Sequence, residues 1–505
     1  MFKNIQKQLL IKFPLLWNTR VVPMTAILIV LNLVFFFIGW IEGKLNFSEN
    51  GNNYYSNNDG LVIFFSVFIS LLLIIIWLAF YFKNNSFKSF YLKNNFSLFK
   101  EWCILLFISF LISLFTVSFY FGKETRVRSY FSEIEAIKRC EILSKASFFV
   151  EGSFSNNYTN DVVSPATIPV EVVQVDSTNM NAGFIHFNGK KYSTLSLLNK
   201  NLNSYTFFNY ESDSIHKKTI KTWLVKQQKD SIKKLFKDYL NIAKEHHLKA
   251  NINENEWLNL IYNYPDFEKF KLIGSDQKGE YYYADNYRNG NVFDRENKYV
   301  ATIGNQQYEY YKYYVPESKL HFNYNKISDS WMNPDVNFET LLIAIYFAFG
   351  ISLLIFSFRV TSGKSWLISV VCLGVLGILF GIISIIISWD YTFPILMILT
   401  ILFSIIYFII TLYKSKSKNI SSLMVNIMLW SILGLFPLFY FITIEILKDI
   451  SYDNYLDYSR SKYYPAIQFM KENSINFLYF NLLFVILKMV LLSSKIKQWR
   501  GLAEN

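Results

Sequence analysis

The stretch WLISVVCLGVLGILFGIISIIISW (residues 366–389), followed after a three-residue turn by FPILMILTILFSIIYFIITLY (residues 393–413), decides the fold. An α-helix rises about 1.5 Å per residue, so about 20 apolar residues cross a hydrocarbon core of about 30 Å. In lipid the backbone amides of such a segment must be satisfied internally, and neither segment alternates as a barrel strand does. The pair therefore predicts two membrane-spanning helices.

Six further runs of the same kind lie elsewhere in the chain, at 21–41, 61–82, 103–121, 338–358, 422–447 and 475–493. Three of the eight runs precede a long polar segment and five follow it. The composition, 52% hydrophobic and 19% aromatic over 505 residues, also exceeds that of typical soluble domains. We therefore predict a polytopic α-helical membrane protein with eight transmembrane helices (3+5) and an inserted α+β extracytoplasmic domain. Gly434 and Pro437 predict a kink in the seventh run.

The charges orient these helices. With the N-terminus inside, the cytoplasmic segments contain 16 Lys and Arg residues against two acids, whereas the short outer loops contain five against eight acids. This bias satisfies the positive-inside rule and accounts for the net charge of +12 without a nucleic-acid partner. The sequence favours a bacterial inner membrane protein with both termini cytoplasmic and the large domain periplasmic. The cytoplasmic segments are 1–20, 83–101, 359–365, 413–421 and 494–505.

The ends of the runs divide the chain into five regions. We expect a basic amphipathic helix on the inner leaflet at 1–20, transmembrane helices at 21–121 and 338–493, the inserted domain at 122–337, and a cytoplasmic tail at 494–505.

Helix and strand signals are mixed within the inserted domain. Residues 128–148 and 214–248 carry helical periodicity, and Asn253 is placed to cap a short helix. The dipeptide Asn188-Gly189 predicts a tight hairpin turn, and the Tyr-rich segment 266–315 predicts further strands. Together these patterns predict an α+β domain.

The apolar runs lack the ionisable groups that ion pumps and channels place in the membrane. All five histidines lie in the inserted domain, and Lys488 is expected to reach the head groups from near the inner end of the last run. Gly363-Lys364-Ser365 resembles the end of a phosphate-binding loop, but Phe358 replaces the glycine required five residues earlier. The three cysteines form no zinc pattern. We therefore predict no catalytic, cofactor-binding or metal-binding residue, and no enzymatic activity of the chain by itself.

Small residues form a stripe along the fifth run, with Gly377-x-x-x-Gly381 at its centre. Such spacing allows two helix backbones to approach closely. We expect these residues to pack helices within the bundle, with a seam of a homo-oligomer or a substrate-lining path as alternatives. The stripe consists of Gly374, Gly377, Gly381 and Ser384.

The loop KNNSFKSFYLKNNFSLFK (residues 83–100) interleaves aromatic and basic residues. One interpretation is a membrane-surface anchor. The other is a short helix that docks a cytoplasmic partner through Phe87, Phe90, Tyr91 and Phe99.

Three segments carry a resemblance to known families: IKFPLLWNTRVVPM (11–24), FKNNSFKSFYLKNNFSLFKEW (82–102) and RVRSYFSEIEAIKRCEILSKASFF (126–149). They resemble the membrane subunits of ABC-2-type exporters and an uncharacterised bacterial multi-pass membrane family. The resemblance implies an interfacial N-terminal helix and a cytoplasmic coupling helix between the second and third spans. This chain differs in having eight predicted spans instead of six and a large domain after the third.

The resemblance implies a permease-like subunit of an ATP-driven export system, energised by a separate cytoplasmic ABC ATPase. An alternative is a non-enzymatic receptor or envelope assembly scaffold, whose periplasmic domain binds a ligand or an envelope protein. A third hypothesis, a membrane enzyme acting on lipid or glycan, would use outer-face acids. The candidates are Glu339, Asp390, Glu445, Asp449 and Asp453.

Overall fold

The computed structural model divides into two compact units. One comprises residues 1–39, 58–122 and 335–505, and is called the membrane unit here; the other comprises 40–57 and 123–334, and is called the polar unit. The structure describes residues 4, 7–8, 11–12, 20–47, 59–83, 96–150, 184–193, 196–200, 202, 207–208, 210–271, 273–276, 278–280, 298–303, 306–387, 391–413, 418–454 and 461–500. Most of the predicted surface helix at 1–20 and the tail after Arg500 lie outside these ranges.

The described part of the chain is mainly helical. In chain order its elements are α1 (Val21–Glu42), α2 (Asp59–Lys83), α3 (Ser97–Ser113), α4 (Phe115–Arg128), α5 (Glu133–Ser147), β1 (Phe184–Phe187), β2 (Lys190–Ser193), α6 (Tyr210–Val225), α7 (Lys229–Glu245), α8 (Glu254–Ile261), β3 (Lys278–Glu280), β4 (Lys298–Ile303), β5 (Gln306–Tyr311), α9 (Glu317–Met332), α10 (Phe338–Val360), α11 (Gly363–Ile387), α12 (Thr392–Tyr413), α13 (Lys418–Ser431), α14 (Leu435–Asn454), α15 (Tyr464–Glu472) and α16 (Ser474–Arg500).

Six of these helices are individually long and apolar enough to cross a membrane: α1, α2, α10, α11, α12 and α16. Two further pairs of helices are long and apolar enough only when each pair is taken together as one broken span. Helices α3 and α4 meet at a bend of 44°, and α13 and α14 at a bend of 57°. The described residues therefore provide six to eight membrane-spanning segments, and the chain is a multi-pass helical membrane protein.

The break between α3 and α4 has a specific cause. The Asn32 side chain of α1 donates from Nδ2 to the Leu111 carbonyl oxygen at 3.0 Å, and its Oδ1 accepts from the Ser118 hydroxyl at 2.7 Å. A side chain that engages a helical carbonyl competes with the i→i−4 ladder and bends the helix. No sequence signal within the third run predicted this break.

The break between α13 and α14 lies where Gly434 and Pro437 predict a kink, so that prediction is confirmed. Asn481 of α16 stabilises it, because its Nδ2 donates to the Leu433 carbonyl at 2.9 Å and to the Tyr346 hydroxyl at 3.0 Å. Both broken spans are thus held by an asparagine of another span. Hydrogen bonds of this kind satisfy backbone groups that a broken helix exposes inside a membrane.

The polar unit has its own hydrophobic core of helices and two small sheets. The β1–β2 hairpin pairs Phe187 with Lys190, and its turn residues Asn188 and Gly189 have φ of 47° and 74°, as a type I′ turn requires. The other sheet is antiparallel with strand order β3-β5-β4. Asn253 caps α8 through a capping box with Glu256. The hairpin turn predicted from Asn188-Gly189 and the helix cap predicted from Asn253 are therefore both confirmed.

Two helix boundaries differ from the prediction. The segment 214–248 forms two helices, α6 and α7, separated at Gln227, which has φ of 57°. The helix predicted at 128–148 begins later, because α4 continues as far as Arg128. Helix α5 starts after Ser132, whose hydroxyl caps it. Absence of Gly and Pro does not guarantee a continuous helix, because packing against a shared core overrides weak propensities.

Candidate functional site

A buried ion pair joins two spans of the membrane unit. Arg359, in the last turn of α10, donates from Nε to Oε1 of Glu101, in the first turns of α3, at 2.7 Å. Glu101 is 3% exposed and Arg359 4%. An isolated charge at the centre of a membrane helix costs about 2.5–3.5 kcal/mol on insertion scales, so each of these groups depends on its partner. Both residues fall in segments predicted to be cytoplasmic, and the structure places them within helices α3 and α10; their side of the membrane stays a prediction.

Tryptophans on either side of the pair donate to serines of α10. Trp102 follows Glu101 on α3 and donates from Nε1 to the Ser352 hydroxyl at 3.2 Å. Trp430 of α13 donates from Nε1 to the Ser357 hydroxyl at 2.6 Å. A buried indole N–H requires an acceptor, so these bonds fix how α3 and α13 are rotated against α10.

An amide extends the polar contacts to α11. Oδ1 of Asn426, on α13, lies 2.9 Å from the hydroxyl of Thr361, the residue that follows α10. Nδ2 of Asn426 donates to the Ser369 hydroxyl of α11 at 3.0 Å. Ser369 in turn donates to the Ser365 carbonyl at 2.8 Å. All four side chains are buried. We call the whole set the polar network: Glu101, Trp102, Ser352, Ser357, Arg359, Thr361, Ser365, Ser369, Asn426 and Trp430.

The polar network positions helices. Its acid is engaged by an arginine, and its amide, indole and hydroxyl groups bond to one another, in most cases across two helices. In a low-dielectric interior such bonds are strong when complete and costly when one member is removed. The arrangement therefore links α3, α10, α11 and α13 into one body near the residues where α3 begins and α10 ends.

The sequence analysis did not identify these residues. Asn426 was the most visible signal, being an amide within an apolar run. Glu101 and Arg359 are 258 residues apart and sit at the ends of their runs, so nothing in the local pattern paired them. The serines and tryptophans resemble ordinary span residues.

Of the four predicted docking residues, one lies within the described residues. Phe99 is in the first turn of α3, half-buried, with its ring 5.8 Å from that of Trp102. It therefore lies beside the polar network. Phe87, Phe90 and Tyr91 lie outside the described residues, and partner docking stays a prediction.

The glycine stripe lies on α11 as expected but does not contact a neighbouring helix. A Cβ built on Gly374, Gly377 or Gly381 meets nothing within 4 Å among the described residues, and Ser384 is partly exposed. Helix α11 packs on α12 and α13. Helix packing within the bundle, the seam of a homo-oligomer and a substrate-lining path all stay predictions for these residues.

Two apolar grooves open on the membrane unit. One, of about 700 Å³, is lined by α11, α12 and α13, including Cys372, Thr400 and Met424. The other, of about 590 Å³, runs along α10 from Leu342 to Leu354. Their linings are those of lipid-facing surfaces, and neither includes the glycine stripe.

Two of the outer-face acids proposed for an enzyme have side-chain partners within the membrane unit. Glu445 accepts from Lys448, and Asp449 accepts from the Tyr391 hydroxyl. Among the described residues, no group of three or more His, Cys, Asp or Glu is arranged to hold a metal ion. Asp390 lies outside the described residues.

The Lys488 ammonium lies beside two aromatic rings, and its reach to the head groups stays a prediction. Its Nζ lies 3.8 Å from the ring centroid of Phe436 and 4.3 Å from that of Phe484, beside the break between α13 and α14. Cation–π contacts of this kind partly replace hydration.

A second cluster of charged and aromatic residues lies in the polar unit. Arg139 donates to Glu245 at 2.6 Å, and the Tyr324 hydroxyl lies 3.0 Å from Nε2 of His246. The His246 ring stacks on Phe47 with centroids 3.7 Å apart. Burial, assisted by the Arg139 charge, lowers the pKa of His246 to about 4, so the ring is neutral at pH 7. His246 thus packs inside the unit.

The chain matches no protein-family model, no curated protein and no solved structure. The functional argument therefore depends on the geometry of the two units.

Proposed function

We propose that this chain is the permease-like membrane subunit of an ATP-driven export system, energised by a separate cytoplasmic ATPase. In this proposal the basic and aromatic loop at 83–100 docks the ATPase, both termini are cytoplasmic, and the polar unit faces the periplasm of a bacterial inner membrane. The charge bias of the loops supports this orientation.

The observation that carries the proposal is the buried Glu101–Arg359 pair. Glu101 directly follows the proposed docking loop, and its partner lies at the end of α10. A subunit that receives work from an ATPase needs a rigid connection from the docking element to its spans. Moving the start of α3 alone would separate two buried charges, which is costly. We therefore expect α10 to move together with α3.

The polar network supplies the next connection. Through Ser357 and Asn426 the end of α10 is bonded to α13, which leads into the broken span at Gly434. Discontinuous helices are common where transporters change conformation. A path of bonded groups thus leads from the proposed docking loop to a bent span.

The first experiment is a mild-detergent pull-down of the tagged full chain from its native host, with mass spectrometry of the co-purified proteins. We expect a stoichiometric ABC-type ATPase that is lost when Phe87, Phe90 and Tyr91 are changed to Ala. Phe338→Ala is the control, since Phe338 is 76% exposed at the opposite end of α10. Repeated recovery of the chain at normal expression without an ATPase would contradict the proposal.

A second experiment separates docking from transmission. In Glu101→Gln the docking loop is unchanged, so we expect the ATPase to remain bound. Its rate of ATP hydrolysis should no longer change when the ATPase is reconstituted with the variant chain. Loss of the ATPase itself in Glu101→Gln would place the glutamate in the docking surface instead.

The alternative is a receptor or envelope assembly scaffold, and the observation that favours it is the separate core of the polar unit. That core is built around residues such as Trp257, Phe236 and Tyr239, and makes the unit a compact body of its own. A receptor would tolerate the Phe87, Phe90 and Tyr91 changes and lose function when the Tyr-rich surface at 310–314 is altered.

A further inference from the structure

Arg126, near the end of α4, is held between two aromatic rings. Its Cζ lies 5.2 Å from the ring centroid of Trp40 and 5.3 Å from that of Tyr130. The side chain is partly exposed. Each ring face attracts the cation, and neither contact uses the conventional in-plane hydrogen bonds of the guanidinium.

The backbone is shaped to bring these residues together. A Cβ on Gly43 would lie 2.4 Å from the Lys123 carbonyl oxygen and 2.9 Å from Cβ of Arg126, so a residue without a side chain is needed there. This close approach places Trp40, about one turn earlier on α1, beside Arg126. The Tyr130 ring is fixed as well, because its hydroxyl accepts from the Leu45 amide at 3.2 Å.

Arg128, two residues later in the same helix, differs from Arg126 because its guanidinium donates to an acceptor within the protein. Its Nε and Nη2 both donate to the Ser330 carbonyl oxygen, and Glu124 lies 3.7 Å away. Among the residues that the structure describes, Arg126 has no such acceptor for its guanidinium; its contacts are the two rings. Its donors are therefore left for a ligand.

The position of Arg126 along its helix indicates the ligand. Helix α4 is apolar from Phe115 to Phe121 and then carries Lys123, Arg126 and Arg128, whereas Trp40 lies in the last turn of α1. Apolar helix followed by Trp, Tyr and cations marks the level of the lipid head groups. A guanidinium binds a phosphate through two parallel N–H···O bonds, which suits the in-plane donors that remain.

We propose that Arg126, between Trp40 and Tyr130, binds the phosphate of an anionic phospholipid. The rings orient the guanidinium, Gly43 sets the spacing, and the exposed Lys44 adds positive charge nearby. The site does not depend on whether the chain is a permease or a receptor.

The test is native mass spectrometry of the purified full chain, titrated with phosphatidylglycerol and, separately, with phosphatidylcholine. We expect the wild type to retain phosphatidylglycerol in preference, and Arg126→Gln to weaken that binding about tenfold, the loss typical of one charge-assisted bidentate contact. Lys44→Gln is the matched control, because it removes the same charge from the neighbouring surface. It should change binding less than about twofold, as expected for an exposed charge.

Three results would overturn the proposal. Equal losses of phosphatidylglycerol binding in the two variants would indicate diffuse attraction of anionic lipid. No loss of binding in Arg126→Gln would mean that the arginine does not bind the lipid phosphate. Binding of inorganic phosphate that displaces phosphatidylglycerol at equal concentration would make a soluble anion the ligand. Thermal unfolding of each variant shows whether the fold is intact, and Arg126→Lys, which keeps the charge without the planar fork, should retain part of the preference.

Discussion

Helices α10 and α11 are consecutive, similar in length and almost equally apolar, yet they lie in very different surroundings. Their mean hydropathies are 2.5 and 3.0, but 50% of the α10 window is buried within the unit and none of the α11 window is. The difference follows polar side chains. Helix α10 carries Ser352, Ser357 and Arg359, each bonded to another span, whereas most of α11 offers glycine and aliphatic surface. In lipid, hydropathy does not decide which helix is central, because hydrocarbon and leucine are equivalent environments.

The strongest challenge to this contrast is Arg359→Leu. It leaves Glu101 buried without its arginine, so we expect the free energy of unfolding to fall by about 3–5 kcal/mol. The measurement is reversible unfolding of the purified chain in mild detergent. The double variant Glu101→Leu with Arg359→Leu is the control and should recover most of the loss. A single variant as stable as the wild type would mean that the pair does not hold α10 in place.

Asn426→Leu tests the link between α10 and α11 through α13. It removes the amide that contacts Thr361 and Ser369, so we expect a loss of about 1–3 kcal/mol in the same assay. Ser404→Ala, a buried serine of α12 bonded within its own helix, serves as the comparison and should cost less. Equal losses of stability in the two variants would show that a hydrogen bond between helices contributes no more than one within a helix.

Trp430→Phe removes one donor and retains the aromatic volume. The Ser357 hydroxyl keeps its bond to the Leu354 carbonyl, so we expect a loss of only about 0.5–1.5 kcal/mol. A loss as large as that of Arg359→Leu would mean that packing, and not the ion pair, dominates around α10.

The smallest expected effect is that of Gly377→Ala on α11. A methyl group there meets no atom within 4 Å in the described chain, and alanine favours a helix over glycine by about 1 kcal/mol. We therefore expect unchanged or slightly raised stability of the monomer. Light scattering provides the second readout, because a fall in oligomer mass would reveal that the stripe is a seam between two copies.

The sequence predicted elements that depend on local chemistry. Apolar length located the spans to within a few residues, and Gly434, Asn188-Gly189 and Asn253 each marked a kink, a turn or a cap that the structure contains. These features arise from residues that are close along the chain.

Features that depend on distant partners were not predictable in this way. The break at Leu114 depends on Asn32, and the burial of Glu101 depends on Arg359, which is 258 residues away. The stripe Gly374-Gly377-Gly381 shows the converse, since a pattern suited to close packing has no neighbour in the described chain. Periodicity shows which face of a helix is suited to contact, but not whether another helix occupies it.

The separation of Glu101 and Arg359 also has a consequence for biosynthesis. Residue 101 leaves the ribosome 258 residues before residue 359, which at about 5–20 residues per second is roughly 13–50 s. During that interval residues 123–334 of the polar unit are synthesised, while the glutamate has no arginine to contact. The ion pair between the third and fourth spans can therefore form only after Arg359 has been synthesised. Assembly of the bundle is thus timed by the arrival of the fourth span.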